Sequence, residues 1–242
     1  MSDAHHSHDY AKANQEHFDK EAQKPGGFEE WADLSRQVGR SLVESHKELF
    51  TKETTILDFA CGPGFVAAEI LPHVKSILGV DISQGMVRAL FCEERRVMRI
   101  GARQVDTYNA RAEKVGASPE AMHAVCIELK GTGSELDGRK FDLVICTAAY
   151  HHIDDVDGIT RMLQSFLAPG GSLLIVDFIK SEVPSIFKEK LGHINAHSGF
   201  QEPEMRAMLE RAGLGGFEFK PMGEAVIKEV PMKFFVARGV KA

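Results

Sequence analysis

Two carboxylates around a glycine turn, and two adjacent histidines much further along, are the residues in this chain best placed to do chemistry together. Asp58 stands in the short apolar run Ile56, Leu57, Phe59, which has β-branched neighbours at Thr54 and Thr55 and reads as a buried strand. Gly62, Pro63 and Gly64 then force a tight turn, and Phe65 to Leu71 resumes with helical spacing. Glycines let the backbone approach a ligand, and the free N–H groups of a helix N-terminus offer donors, so this stretch predicts a nucleotide-cofactor site. Asp81 ends the next predicted strand, Ile77 to Val80, where a carboxylate can accept from two ribose hydroxyls. The run Phe141 to Thr147 has the continuous apolar character of a parallel strand and leads into Ala148-Ala149-Tyr150-His151-His152. In a doubly wound sheet that loop faces the ligand. A neutral His151 or His152 there can take a proton from a phenol, a thiol or an enolised carbon, or can simply hydrogen-bond a covering segment.

The turn alone does not choose its cofactor, because Gly62-Pro63-Gly64-Phe65-Val66-Ala67 also fits the loose G-x-G-x-x-A dinucleotide pattern. Asp58 breaks the tie: a carboxylate there repels a pyrophosphate and attracts the ammonium and sulfonium of S-adenosylmethionine. D-F-A-C-G-P-G followed by G-V-D-I-S-Q-G-M resembles motif I and the next acidic motif of the class I S-adenosylmethionine-dependent methyltransferases, and L-A-P-G-G-S-L-L-I-V-D resembles their fifth strand. The resemblance runs from about Thr54 to the C-terminus. It implies an α/β fold, a doubly wound, mostly parallel seven-stranded Rossmann-like sheet with an N-terminal helical lid. Asp58, Ala60, Cys61, Gly62, Gly64 and Phe65 would serve the methionine end of the cofactor, Asp81 the ribose, and Ile82, Met86 and Leu129 the adenine. Thr147 would stand near the reacting centre with His151 and His152. Ala-Ala-Tyr-His-His is similar to the corresponding loop of quinone-biosynthesis and natural-product methyltransferases, which implies a small-molecule acceptor with an O, N, S or C nucleophile. No N-P-P-Y-type loop follows the fourth strand, which argues against nucleic acid. The rival readings are a catalytically silent cofactor-binding regulatory protein and a nicotinamide-dependent oxidoreductase.

The elements that must position these residues are mostly legible. Residues 1–10 are polar and His-rich and read as a tail; His5, His6 and His8 in it are not read as a metal site. Residues 11–50 have a helical pattern interrupted by Pro25-Gly26-Gly27, and Phe18 and Trp31 there either wall the pocket or pack on the sheet. Residues 51–242 form the main domain. The third strand has two candidates, Gln104 to Tyr108, with Asn109 and Ala110 at the adenine, or Met122 to Leu129, with Leu129 and Lys130 there; the apolar run Ala124-Val125-Cys126-Ile127 favours the second. Val87 to Gln104 carries five arginines and breaks the family pattern. Without it Met86, Val105, Tyr108 and Val115 share one helical stripe. It reads either as an insert or retained intron, since a valine codon begins GT and a glutamine codon can end AG, or as a longer ordinary helix. Asp154 to Leu167 and Glu202 to Ala212 predict helices, Pro169-Gly170-Gly171 a turn into the strand Ser172 to Phe178, and Gly216–Val230 with Met232–Lys241 a closing antiparallel pair.

Composition sets the outer bounds. With 242 residues, 43% hydrophobic, 26% charged and a formal net charge of -6, the chain is an ordinary globule with no general nucleic-acid footprint. No apolar run is long enough to span a bilayer and the start lacks a signal-peptide core. Four cysteines without C-x-x-C spacing predict reduced thiols and a cytoplasmic setting. His193 and His197, one helical turn apart, have no third ligand in sight, so no metal is expected. The oligomeric state is not written in the sequence.

Overall fold

A computed structural model describes residues 9–22, 24, 28–83, 107–180, 194–227 and 230–242. Met86, the Val87–Gln104 stretch, His193 and the His-rich start lie outside the described residues. Helices α1 (Tyr10–Ala22) and α2 (Glu29–Ser45) precede a strand-turn-helix unit of β1 (Thr55–Phe59) and α3 (Phe65–Ile70). There follow β2 (Ser76–Asp81), α4 (Thr107–Lys114), β3 (Met122–Cys126), β4 (Phe141–Thr147), α5 (Val156–Phe166) and β5 (Leu167–Phe178). Helix α6 (Glu202–Arg211) and the hairpin β6 (Leu214–Ile227) and β7 (Val230–Lys241) complete the chain.

The strands form one sheet in the order β3-β2-β1-β4-β5-β7-β6. β1 to β5 run parallel and β7 lies antiparallel to both β5 and β6. Because the chain winds outward from β1 to β3 and then returns to β4, the strand order reverses between β1 and β4, and a crevice opens at their carboxyl ends. Alternation along the strands feeds two cores. Leu57, Val144, Cys146, Leu173 and Ile175 face α5 and α6, whereas Ile56, Leu143, Ile145 and Leu174 lie with residues of α2, α3 and α4.

The third strand is Met122–Cys126, the apolar candidate, and Thr107 and Tyr108 belong to a helix. Asn109 is committed to the sheet: its side chain accepts from the N–H of Ala124 at 2.8 Å and donates to the Ala124 carbonyl at 3.1 Å, serving the open edge of β3. Tyr108 is fully buried on α4 and Val115, just past its end, is 49% exposed; Met86 and Val105, the other members of the stripe read for a chain without Val87–Gln104, lie outside the described residues. β5 begins earlier than the turn at Pro169-Gly170-Gly171 suggested. Phe141 pairs with Leu167 and Leu143 with Ser172, so three extra residues bulge out of the ladder, with Gly170 at φ +78°.

Candidate active site

The turn after β1 is built almost entirely from backbone. Ala60, Gly62 and Gly64 all take positive φ, at 53°, 52° and 77°. The N–H of Cys61 donates to the Val80 carbonyl at 3.1 Å, and the N–H of Gly62 donates to Oδ2 of Asp81 at 3.0 Å. The other carboxylate oxygen of Asp81 accepts from the N–H of Ser83 at 2.9 Å. Burial raises the Asp81 pKa from its ordinary value against the pull of those N–H donors. The two glycines have different reasons. A Cβ at Gly62 would meet no atom of the described residues within 4 Å, and Gly62 lines the cavity; one at Gly64 would lie 2.8 Å from the Tyr108 ring. Arg111, on the same helix as Tyr108, clamps the turn from outside. Its Nε donates to the Pro63 carbonyl at 2.8 Å, and its guanidinium carbon lies 3.5 Å from the centroid of Phe65.

Asp58 is placed differently from the sequence expectation. Strand alternation puts its side chain on the face of Ile56, beneath the turn and off the cavity lining, as Gly64 also is. It is 1% exposed, and among the described residues neither of its oxygens has a hydrogen-bond partner. Burial first, and then Asp81, pushes its pKa up to about 8. At neutral pH and with no cation nearby it is mostly protonated, so the charge attributed to it from the sequence is not standing ready in the free protein.

The loop after β4 separates the two histidines. Nδ1 of His151 lies 2.9 Å from Oδ1 of Asp177, and the backbone N–H of His151 donates to Oδ2 at 3.1 Å. The N–H of Phe178 also donates to this carboxylate, at 2.7 Å, and Asp177 is fully buried. A carboxylate can only accept, so Nδ1 carries the proton and Nε2 is left as the basic nitrogen. His152 is engaged otherwise: its Nδ1 lies 2.9 Å from the Ile194 carbonyl, and its own carbonyl accepts from Asn14 of α1 at 3.4 Å. Burial, reinforced by the neighbouring His151, holds the His152 pKa well below its ordinary value and keeps the ring neutral.

Both halves open onto one cavity of about 1050 Å³. Ala60, Cys61, Gly62, Phe65, Asp81 and Ile82 line it from the β1 turn and the end of β2, Leu129 and Thr147 from the segment after β3 and the end of β4, and His151 and His152 from the loop after β4. Phe18 and Trp31 line it from α1 and α2. Helix α1 is tied to both sides. Gln15 donates to the Ile82 carbonyl at 2.9 Å, Ser83 Oγ to Asp19 at 2.5 Å, and Asn14 to the Ile194 carbonyl at 3.0 Å. Asp177, Arg111 and Asn14 were missed by sequence reasoning. For Asp177 a signal existed, a lone carboxylate ending an apolar strand whose carboxyl end faces the crevice. Arg111 and Asn14 carry no such signal. Among the described residues no group of three or more His, Cys, Asp or Glu could hold a metal, and no helix is long and apolar enough to cross a membrane.

Comparison with known proteins agrees with this geometry. Residues 16–216 match a family model described as a methyltransferase domain. An uncharacterized methyltransferase of Schizosaccharomyces pombe is 31% identical over 175 residues, covering 68% of this chain and 54% of the relative. An uncharacterized methyltransferase of Mycobacterium tuberculosis is 27% identical over 124 residues, covering 51% of this chain and 50% of the relative. The chain thus spans about half the length of these curated relatives. Among solved structures, magnesium protoporphyrin IX methyltransferase from Synechocystis, crystallised with bound SAH, superposes with a TM-score of 0.64 at 16% identity, over 97% of this chain and 100% of that one. The YcgJ protein of Bacillus subtilis superposes with a TM-score of 0.58 at 17% identity, over 84% and 98%. At those identities the two structures attest the fold alone. Together with the reversed sheet and the glycine turn, the family match establishes that this chain belongs to the class I S-adenosylmethionine-dependent methyltransferases.

Proposed function

We propose that the protein transfers the methyl group of S-adenosylmethionine to a small-molecule acceptor held in this cavity, with His151 as general base and Asp177 as the residue that positions it. One observation carries the reading: the glycine turn with Asp81, and His151 held from behind by the buried Asp177, line the same cavity. The turn fits the cofactor on its own terms. Gly62 leaves open space where a side chain would stand, Asp81 lies at the end of β2 for two hydroxyls, and Asp58 offers a buried, unpartnered carboxylate beneath the turn to a positively charged group. Ala60, Cys61 and Phe65 would flank the methionine end, Ile82 and Leu129 the adenine, and Thr147 the reacting centre.

When bound, the cofactor supplies a methyl group on a positively charged sulfur. The chain's contribution is to align the acceptor, keep water out and accept its proton. Alignment of this kind is worth several kcal/mol or more, and a positioned base contributes about 10²–10⁴-fold. Nε2 of His151 takes the proton, and Asp177 keeps the ring in the tautomer that makes this possible. His152 holds the covering segment through Ile194 and Asn14. Helices α1 and α2 act as a lid, since α1 bonds to the loops on both sides of the cavity.

Isothermal titration of the full chain with S-adenosylhomocysteine and, separately, with NAD tests the reading. Saturable binding of S-adenosylhomocysteine and none of NAD is expected. The reverse result would overturn it, and binding without transfer to any acceptor in a panel with labelled cofactor would favour a silent regulatory protein.

A further inference from the structure

We propose that the acceptor is an uncharged, planar aromatic ring bearing an ionisable hydroxyl, bound against a wall of aromatic rings and methylated on oxygen. The inference deepens the methyltransferase reading and rests on it. Six rings that all line the cavity form an unbroken series: His17, Phe18, His152, His151, Phe178 and Phe234. Successive centroids lie 5.2, 5.4, 4.0, 4.7 and 5.1 Å apart, tilted or edge-on throughout. They come from α1, the loop after β4, the end of β5 and β7, so four separate segments converge to make one surface. Aromatic rings attract further rings through edge-to-face and offset contacts beyond what burial alone supplies, whereas a flexible aliphatic chain gains only the burial. The proposed base stands in the middle of the series, where the substituent of a seated ring would come.

Charge points the same way. Among the described residues the single cation on the cavity lining is Lys130, which follows the β3 end, opposite the rings, and lies 3.6 Å from Glu128. Asp9, Glu21, Asp154 and Asp155 also line the cavity. A phosphate or carboxylate on the acceptor would be repelled by these carboxylates. A phenolic hydroxyl, with an ordinary pKa near 10, is a poor nucleophile until its proton is removed, which gives the His151–Asp177 pair a task. In the step, the hydroxyl proton passes to Nε2 of His151 and an oxygen lone pair forms the O–CH₃ bond. The S–CH₃ bond breaks with its electron pair going to sulfur, so that S-adenosylhomocysteine and the methyl ether are the products.

The test uses the full chain and three probes of one carbon skeleton: 2-naphthol, its saturated counterpart decahydro-2-naphthol, and 2-naphthyl phosphate. Calorimetry first establishes S-adenosylhomocysteine binding, and the probes are then titrated into the saturated complex. The expected result is that 2-naphthol binds at least about tenfold more tightly than either other probe. The Phe18→Leu variant should narrow the ratio over decahydro-2-naphthol to about two- to threefold while leaving S-adenosylhomocysteine affinity unchanged, which shows that the variant is folded. Phe178→Leu gives a second reading from the far side of the histidines. Equal binding of the two alcohols, tighter binding of the phosphate, or no binding of 2-naphthol would overturn the proposal and leave the methyltransferase reading standing. Failure of S-adenosylhomocysteine itself to bind would sink both.

Discussion

The two sides of the cavity are made of different material. The side at the glycine turn is backbone: N–H groups, positive-φ residues and one carboxylate, drawn largely from a single stretch between β1 and β2. The opposite side is side chains: rings and imidazoles brought together from α1, the β4 loop, β5 and β7. A backbone site tolerates little change at its few positions, because geometry itself is the ligand-binding group. A wall of side chains can be altered one ring at a time. The difference teaches where specificity would reside on the proposed function: the turn would select the cofactor, and the ring wall the acceptor without disturbing it.

That separation can be broken by experiment, and the largest effect is expected on the histidine side. His151→Ala should lower the rate of methyl transfer to 2-naphthol by about 10²–10⁴-fold while leaving S-adenosylhomocysteine affinity within about twofold. Asp177→Asn should lower it too, because an amide can present its NH₂ and leave Nδ1 as acceptor, the wrong tautomer for a base at Nε2. Single-turnover assays with labelled cofactor read both. A parallel loss of cofactor affinity would show that the two sides are not independent.

A smaller effect is expected from Asp81→Ala, which removes the acceptor for the proposed ribose hydroxyls and for the N–H of Gly62. S-adenosylhomocysteine binding should weaken by about 1.5–3 kcal/mol, read by calorimetry, with the fold retained although the N–H groups of Gly62 and Ser83 lose their acceptor. Unchanged affinity would remove Asp81 from the cofactor side.

The smallest effect sharpens the role of Asp58. Since its pKa is raised to about 8, S-adenosylmethionine should bind more tightly as pH rises towards that value, with release of a proton seen as a buffer-dependent heat. Stability carries the opposite sign. The folded value lies above the unfolded value of 3.8, so the folded chain holds the extra proton between those limits, and this contribution is lost as pH rises to about 8. Asp58→Asn should flatten both dependences. A pH-independent affinity in the unmodified protein would mean that Asp58 does not sense the cofactor.

What the sequence determined by itself is what local chemistry dictates. Ile56 to Phe59 next to Gly62-Pro63-Gly64 specifies a strand, a turn and a helix, because only glycine adopts such backbone without strain and an apolar run of that length buries as a strand. Phe141–Thr147 was readable to the residue for the same reason, as were Asp81 at its strand end and the doubly wound, mostly parallel seven-stranded sheet that the family motifs imply. The tertiary structure decided whatever depends on partners distant in sequence. It put Asp58 beneath the turn rather than on the cavity, since alternation fixes a side chain's face but only packing fixes what covers it. It gave His151 a buried carboxylate 26 residues away and left His152 to a carbonyl 42 residues away, a division that no spacing rule contains. It ended the third strand at Cys126, short of the Leu129 that the favoured apolar run reached, and spent Asn109 on the edge of that strand. The ring wall is the furthest case: each ring is an ordinary apolar or polar residue of its own segment, and they become one surface because the reversed sheet brings the ends of β4, β5 and β7 under α1.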